Sequence, residues 1–181
     1  SEEFLKKVED RIIIPTVKGL HKENLPYKGF IFIGLIMVDN DPYVIEYNVR
    51  MGDPETQVVL PRIKSDFLEL MVRTANQTLN NFDLQIYEET YANIVMVAGG
   101  YPESYEKGNP ITRIPKDNET SKIFHAGTKE VDNKFFTNGG RVLSVVSKGS
   151  DFKQALSKSY EIAEKIDFKD KNYRKDIGFD L

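Results

Sequence analysis

Two β-forming runs separated by four turn residues constrain the fold of this chain more than any other feature. Residues 30–38, FIFIGLIMV, are a nearly continuous apolar run of strand length, and residues 43–50, YVIEYNVR, form a second run. Between them, residues 39–42 read DNDP, in which Asp and Asn accept the left-handed backbone conformation of tight turns. The pattern predicts an antiparallel β-hairpin.

The second strand of this hairpin alternates between apolar and polar side chains. Because side chains alternate across a strand, one face, expected to pack on a core, holds Tyr43, Ile45, Tyr47 and Val49. The opposite face is expected to hold Val44, Glu46, Asn48 and Arg50. A carboxylate and an amide oxygen side by side suit a hard cation such as Mg²⁺, and an Arg beyond them offers a fork of donors to phosphate. A hairpin with one solvated face shows the same alternation, and the pattern alone favours that interpretation.

The segment that follows, Gly-Asp-Pro-Glu at 52–55, is typical of a capped helix start. Pro54 fits the first position of a short helix over 54–60, which Pro61 then ends. Apolar residues at three- and four-residue intervals predict an amphipathic helix over 66–79, with Ser65 as its N-cap. At the start of the chain, residues 2–10 predict a short polar helix or the end of a longer one. Residues 12–15, IIIP, predict a strand stub or a helix end stopped by Pro15.

The remainder of the chain predicts a β-rich unit closed by one helix. Strands are expected over 92–98, 111–114, 122–126 and 141–147, separated by Gly-rich turns at 99–102, 126–128 and 138–140. A common apolar face predicts a helix over about 151–166, and the tail, NYRKDIGFDL, keeps enough apolar residues to dock onto the body. The fold class is therefore α+β, with a hairpin and helices first and a small β-rich unit after them.

Composition excludes several classes of function. The chain has no cysteine, which removes disulfides, thiolate metal sites and cysteine nucleophiles, and its two histidines, His21 and His125, are too far apart in sequence to suggest a multi-histidine zinc site. The net charge is −3 and the 25 basic residues are scattered, which argues against a nucleic-acid surface. We see no membrane-length apolar run and no leader peptide, so a cytoplasmic protein without a membrane partner is expected.

Several longer motifs resemble one enzyme family over nearly the whole chain. They are VIEYNVRMGDPETQ at 44–57, GGYPESYEKGNPI at 99–111, FHAGT at 124–128, NGGRVLSV at 138–145 and YRKDIG at 173–178. In this order they resemble phosphoribosylamine–glycine ligase, also called glycinamide ribonucleotide synthetase. The resemblance implies that residues 1–82 are the C-terminal part of an ATP-grasp domain and residues 83–181 the family's C-terminal domain.

The resemblance also implies a reaction and a set of site residues. The family joins 5-phosphoribosylamine to glycine in de novo purine biosynthesis, with ATP as co-substrate and a glycyl phosphate intermediate. Its Mg²⁺ or Mn²⁺ ligands would be Glu46 and Asn48, and Arg50 would contact the transferring phosphate. Asp53 and Glu55 are candidates on the substrate side.

The chain also departs from the family, and other interpretations stay open. Family members are more than twice as long, so we expect a C-terminal fragment that lacks the N-terminal part of the enzyme and has little or no ligase activity alone; the initial Ser1 agrees with this. The alternatives are a non-catalytic binding or assembly module and a different ATP-grasp carboxylate–amine ligase. For Arg141, a phosphate contact and a domain-interface role are both open, with the interface favoured. For His125, a packing or hydrogen-bonding role is favoured over a general-base role.

Overall fold

The computed structural model describes residues 1–179 and confirms the α+β class. Its helices are α1 (Glu2–Val8), α2 (Ile14–Lys22), α3 (Thr56–Val59), α4 (Phe67–Asn76) and α5 (Phe152–Lys165). Its strands are β1 (Phe32–Val38), β2 (Asp41–Asn48), β3 (Thr90–Val97), β4 (Pro110–Ile111), β5 (Ser121–His125), β6 (Thr128–Val131), β7 (Lys134–Thr137) and β8 (Arg141–Gly149).

The chain forms two compact units, and each is described by itself. The N-terminal unit comprises Ser1–Gly52 and Ser65–Leu84. The C-terminal unit comprises Asp53–Lys64 and Gln85–Leu181. The segment Asp53–Lys64 therefore packs with the C-terminal unit, although it lies between two segments of the N-terminal unit in the sequence.

The helical start of the N-terminal unit continues through Pro15 and does not stop there. A π-helical turn, Glu9–Ile13, joins α1 to α2, and the Ile14 N–H donates to the Glu9 carbonyl five residues earlier. Proline breaks a regular α-helix because it lacks an N–H and its ring meets the carbonyl four residues before it. The wider π turn changes that bonding pattern just before Pro15, which stands in the first turn of α2. The predicted strand stub at 12–15 is therefore wrong. The prediction that the first helix ends at residue 10 is also wrong, because helical structure continues to Lys22.

The predicted hairpin is present, with a tighter turn than expected. Only Asp39 and Asn40 form the turn, with φ of 49° and 62°, and β2 begins at Asp41 and ends at Asn48. Two left-handed residues in a two-residue loop match the right-handed twist of the flanking strands.

A β-bulge in this hairpin changes which side chains share a face. Gly34 pairs with Glu46, whereas the next residue, Leu35, pairs with Val44, so Ile45 is an extra residue in β2. Directly paired residues share a face, and neighbours along β1 point to opposite faces. Val44 therefore lies on the face opposite Glu46, which corrects the predicted polar face.

The predicted core-facing side of β2 is not buried. The exposed fractions are 55% for Tyr43, 65% for Ile45, 51% for Tyr47 and 73% for Val49. Tyr47 reaches the helical segment by a hydrogen bond, with 3.1 Å between its hydroxyl and that of Thr16. The prediction that these four residues pack on a core is wrong for the described part of the chain.

The boundaries of α4 differ from those predicted. Asp66 is the N-cap, since its carboxylate accepts a hydrogen bond from the Glu69 N–H at 2.8 Å, and Ser65 is not. The helix ends at Asn76 because Gln77 takes a left-handed conformation with φ of 59°.

The segment between the hairpin and α4 also differs. The predicted helix over 54–60 is shorter, because α3 starts only at Thr56 and is followed by a 3₁₀ turn, Leu60–Arg62, that contains Pro61.

The C-terminal unit is built around β8. This strand lies between β3 and β5 in a three-stranded antiparallel sheet, and β4, β7 and β6 form a second sheet in that order. Residues 142–147 of β8 are all buried, as expected for a central strand covered on both faces. Helix α5, predicted almost to the residue, packs on β3 and β8 and buries Ala155, Leu156, Ser159 and Ala163.

The second sheet was largely missed. β6 and β7 were not predicted. β4 is only two residues long, since the next residue, Thr112, pairs with Asp167 instead, and Arg113 then takes a left-handed conformation with φ of 57°.

The tail docks on the edge of the first sheet. Val97 and Asn172 exchange two backbone hydrogen bonds of 2.8 and 3.0 Å, and Tyr173 and Ile177 pack against the core. Phe179 is 76% exposed, so the predicted docking holds as far as Ile177; Asp180 and Leu181 lie outside the described residues.

Candidate functional site: an acid–amide pair on the hairpin

The two predicted metal ligands lie together on one face of the hairpin. Glu46 pairs with Gly34 and Asn48 pairs with Phe32, so both side chains stand on the same side of β2. The Asn48 amide Nδ2 donates to Glu46 Oε1 at 3.0 Å. Glu46 is exposed and Asn48 is half-buried.

Gly34 gives the Glu46 side chain its space. A Cβ atom at position 34 would stand 3.0 Å from the Glu46 Cγ, which is closer than carbon atoms normally approach. The side chain of Glu46 therefore lies across the position where any other residue of β1 would have its own side chain. A glycine inside an apolar strand run often marks such a close approach, and this signal was available in the sequence.

The oxygen donors of this pair fit a hard divalent cation. Glu46 supplies a carboxylate, and the Asn48 oxygen is the amide atom that the bond to Glu46 leaves unused. Two protein ligands suffice for Mg²⁺ when water and phosphate oxygens fill the other positions. Within residues 1–179 no group of three or more His, Cys, Asp or Glu side chains forms a larger metal site.

Arg50 lies beyond the strand rather than in line with the pair. β2 ends at Asn48, and the Arg50 guanidinium donates through Nη1 to the Met51 carbonyl at 2.8 Å. Its side chain is exposed. The strand geometry that was expected to align Arg50 with Glu46 and Asn48 therefore does not extend to it, and its contact with phosphate stays a prediction.

Asp53 is held by Arg141, the first residue of β8 in the same unit. Arg141 Nη1 lies 3.0 Å from Asp53 Oδ1 and 3.2 Å from the Asp53 carbonyl oxygen, and Arg141 Nε donates to the Tyr101 hydroxyl at 3.2 Å. Burial would lower the pKa of Arg141, but the hydrogen bond to Tyr101 and the charge of Asp53 outweigh it and raise that pKa above its ordinary value. Glu55 stands exposed just before α3.

The Gly-rich turns of the sequence pack together behind Arg141. Gly140 is buried beneath the Tyr101 ring, which occupies the space of a side chain, and a Cβ on Gly127 would be 2.6 Å from the Gly139 Cα. These turns therefore let backbone and ring approach closely and bring Tyr101 to Arg141. The sequence did not reveal the partnership of Arg141 with Asp53, because the two residues lie 88 positions apart.

His125 has a structural environment, in agreement with the expectation. Its Nδ1 lies 3.0 Å from the Thr128 hydroxyl, and its ring centroid lies 4.4 Å from that of Phe135.

Comparison with known proteins identifies relatives over nearly the whole chain. The family model described as phosphoribosylglycinamide synthetase, ATP-grasp (A) domain, matches residues 1–56, and the model of the C domain of the same enzyme matches residues 91–180. A phosphoribosylamine–glycine ligase from Fusobacterium nucleatum is 44% identical over 97% of this chain and 43% of its own length. A bifunctional purine biosynthetic protein from Pichia angusta is 46% identical over 97% of this chain and 22% of its own length.

A solved structure agrees with these relatives. The crystal structure of phosphoribosylamine–glycine ligase from Thermotoga maritima superposes with a TM-score of 0.83 at 38% identity, over 97% of this chain and 43% of that one. The chain therefore spans less than half the length of these relatives.

The family models and the α+β fold define part of an ATP-grasp domain followed by a C domain of the same enzyme. The chain belongs to the phosphoribosylglycinamide synthetase family. The resemblance seen in the sequence is thus confirmed, and the C-domain match argues against a different ATP-grasp ligase. The boundary between residues 82 and 83 stays a prediction. In residues 1–179 no helix is both long and apolar enough to cross a bilayer.

Proposed function

We propose that this chain carries the metal-binding wall of an ATP-dependent ligase that joins 5-phosphoribosylamine to glycine in de novo purine biosynthesis. The observation that carries the proposal is the pair of Glu46 and Asn48, set over Gly34 within the residues matched by the ATP-grasp family model. The names of the relatives supply the reaction and its pathway.

The proposed site uses each side chain for a separate task. Glu46 and Asn48 hold Mg²⁺ or Mn²⁺, which neutralises charge on the ATP phosphates. Arg50 contacts the transferring phosphoryl group, for which a planar guanidinium is well suited. Asp53 and Glu55 serve the substrate side.

The proposed reaction has two steps. The glycine carboxylate attacks the γ-phosphate of ATP, which gives glycyl phosphate and ADP. The amine of phosphoribosylamine then attacks the acyl carbon, an amide forms and phosphate leaves. The further partner of this chain is the N-terminal part of the same enzyme, and the setting is the cytoplasm.

The test replaces the two ligands in the intact gene product. We expect Glu46→Gln and Asn48→Ala each to lower ligase activity about a hundredfold or more at fixed Mg²⁺, because metal stabilisation of a phosphoryl group is worth several kcal/mol. Mn²⁺ binding in the presence of ATP, followed by electron paramagnetic resonance, should weaken in parallel.

The matched control is Asp39→Asn in the hairpin turn. Asn tolerates the left-handed conformation of Asp39, so this variant removes a nearby charge without disturbing the fold. Near-normal activity and Mn²⁺ binding in the Glu46 and Asn48 variants would show that the metal assignment is wrong.

A further inference from the structure

The Tyr27 hydroxyl joins the two strands of the β1–β2 hairpin at its open end. Its oxygen lies 2.7 Å from the Phe30 carbonyl oxygen and 2.9 Å from the Val49 carbonyl oxygen. Both carbonyls only accept hydrogen bonds, so the single hydroxyl proton is shared between them. Residue 30 precedes β1 and residue 49 follows β2, so the hydroxyl connects the chain just beyond the point where strand pairing stops.

The two site residues near this end of the hairpin are held in different ways. The last paired residues of the two strands are Phe32 and Asn48, so Asn48 is held by the strand pairing itself. Val49 and Arg50 lie beyond that pairing. The Val49 carbonyl and the Arg50 N–H belong to one planar peptide group, so a hydrogen bond to the carbonyl orients the backbone from which the Arg50 side chain starts.

The neighbours of Tyr27 keep its hydroxyl in this place. A Cβ atom on Gly29 would stand 3.0 Å from the hydroxyl oxygen, and Gly29 has φ of 145°, which residues with a side chain rarely adopt. Lys28 ties the same segment to α4, because its Nζ donates to the Ala75 carbonyl in the last turn of that helix at 2.6 Å. Tyr27 therefore reaches the hairpin from a segment that is itself anchored.

We infer that Tyr27 is a positioning residue, which acts through the peptide group between Val49 and Arg50 to hold Arg50 at the transferring phosphoryl group. The inference rests on the proposed function, in which Arg50 makes that contact. Strand pairing places the metal ligand Asn48, and the Tyr27 hydroxyl places the phosphate contact. Loss of the hydroxyl should therefore impair phosphoryl transfer and spare metal binding.

The first test is Tyr27→Phe in this chain, followed by NMR without ATP or metal. Phenylalanine keeps the ring and removes only the hydroxyl. We expect the ¹³C resonance of the Val49 carbonyl to move, because this carbonyl loses a hydrogen bond. The ¹⁵N order parameter of Arg50 should fall from about 0.85, the value of a rigid backbone, towards about 0.6. An Arg50 order parameter equal to that of the unchanged chain would overturn the inference.

The second test measures kcat and Mn²⁺ affinity of the intact gene product. We expect Tyr27→Phe to lower kcat about tenfold, since displacing a positioning group by about 1 Å can cost about a hundredfold in rate. Mn²⁺ affinity in the presence of ATP should stay near that of the unchanged enzyme, because Glu46 and Asn48 keep their paired positions. A merely structural role would weaken both together, so equal losses or an unchanged kcat would contradict the inference.

The matched control is Tyr43→Phe. Tyr43 lies on the same hairpin in β2, is exposed, and has no hydrogen-bond partner for its hydroxyl within residues 1–179. The control should keep the Arg50 order parameter, kcat and Mn²⁺ affinity, and equal effects in it would overturn the inference. Since the NMR test needs no ATP, metal or turnover, its failure is distinct from failure of the metal assignment.

Discussion

Replacing Gly34 by alanine should displace the proposed metal ligand without touching it chemically. The added Cβ would stand 3.0 Å from the Glu46 Cγ, whereas carbon atoms in contact normally lie about 3.5–4.0 Å apart. The Glu46 side chain must therefore give way by a few tenths of an ångström. Metal–ligand distances tolerate only about 0.2 Å, so the carboxylate loses its bonding position.

The expected loss follows from this displacement. Changes that misorient a ligand without removing it cost about 10–100-fold in metal affinity. We expect the intact gene product with Gly34→Ala to bind Mn²⁺ in the presence of ATP more weakly by that factor. Electron paramagnetic resonance of free Mn²⁺ measures it, and the Mg²⁺ concentration needed for half-maximal ligase activity should rise in step.

Gly19→Ala provides the control for the added methyl group. Gly19 lies inside α2, and a Cβ there would meet nothing within 4 Å. It should leave metal binding unchanged and stabilise the helix slightly, by about 0.5–1 kcal/mol. Unchanged Mn²⁺ affinity in a folded Gly34→Ala variant would refute the argument that Gly34 sets the position of Glu46.

Two further predictions concern stability. Leu143→Ala should lower the free energy of unfolding by about 2–5 kcal/mol, because Leu143 is fully buried in the central strand, and urea denaturation measures this; the exposed Val131→Ala is the control, and equal losses would contradict the assignment of the core. Lys7 donates a hydrogen bond to Asp41 and holds the pKa of that carboxyl below its ordinary value of 3.8. The stabilisation is therefore complete above about pH 3.8 and is lost as pH falls through the lower folded pKa. Acid titration should show Asp41→Asn less stable near neutrality and the difference vanishing at low pH; a constant difference would rule this out.

The elements that were predicted well have strong local signals. Helix α5 repeats apolar residues at helical spacing, and β8 is a long apolar run, so both were found nearly to the residue. The bulge at Ile45 has no such signal, because it depends on how β2 pairs with β1. A one-residue change of pairing moves side chains to the other face of the hairpin, which is why the prediction for Val44 failed although both strands were expected.

The hairpin of β6 and β7 was missed, although its turn has the same Asp-Asn sequence as the turn that was predicted between β1 and β2. Asp39 and Asn40 were part of the sequence that predicted the first turn, and Asp132 and Asn133 have the same residue types. Asp132 and Asn133 have φ of 50° and 59°, close to the values in the first turn. The flanking runs, TKEV and KFFT, are short and partly charged, so hydrophobicity alone did not mark them as strands.

The contact between Arg141 and Asp53 explains why the motif at residues 44–57 is divided between the two units. Glu46 and Asp53 are seven positions apart, yet Glu46 belongs to the N-terminal unit and Asp53 to the C-terminal unit. Local pattern cannot reveal this division, because Asp53 is fixed by Arg141, which belongs to a different motif 88 positions later. It follows that the geometry of Asp53 depends on Tyr101 and the packed Gly-rich turns, whereas that of Glu46 depends on Gly34 and the bulge at Ile45.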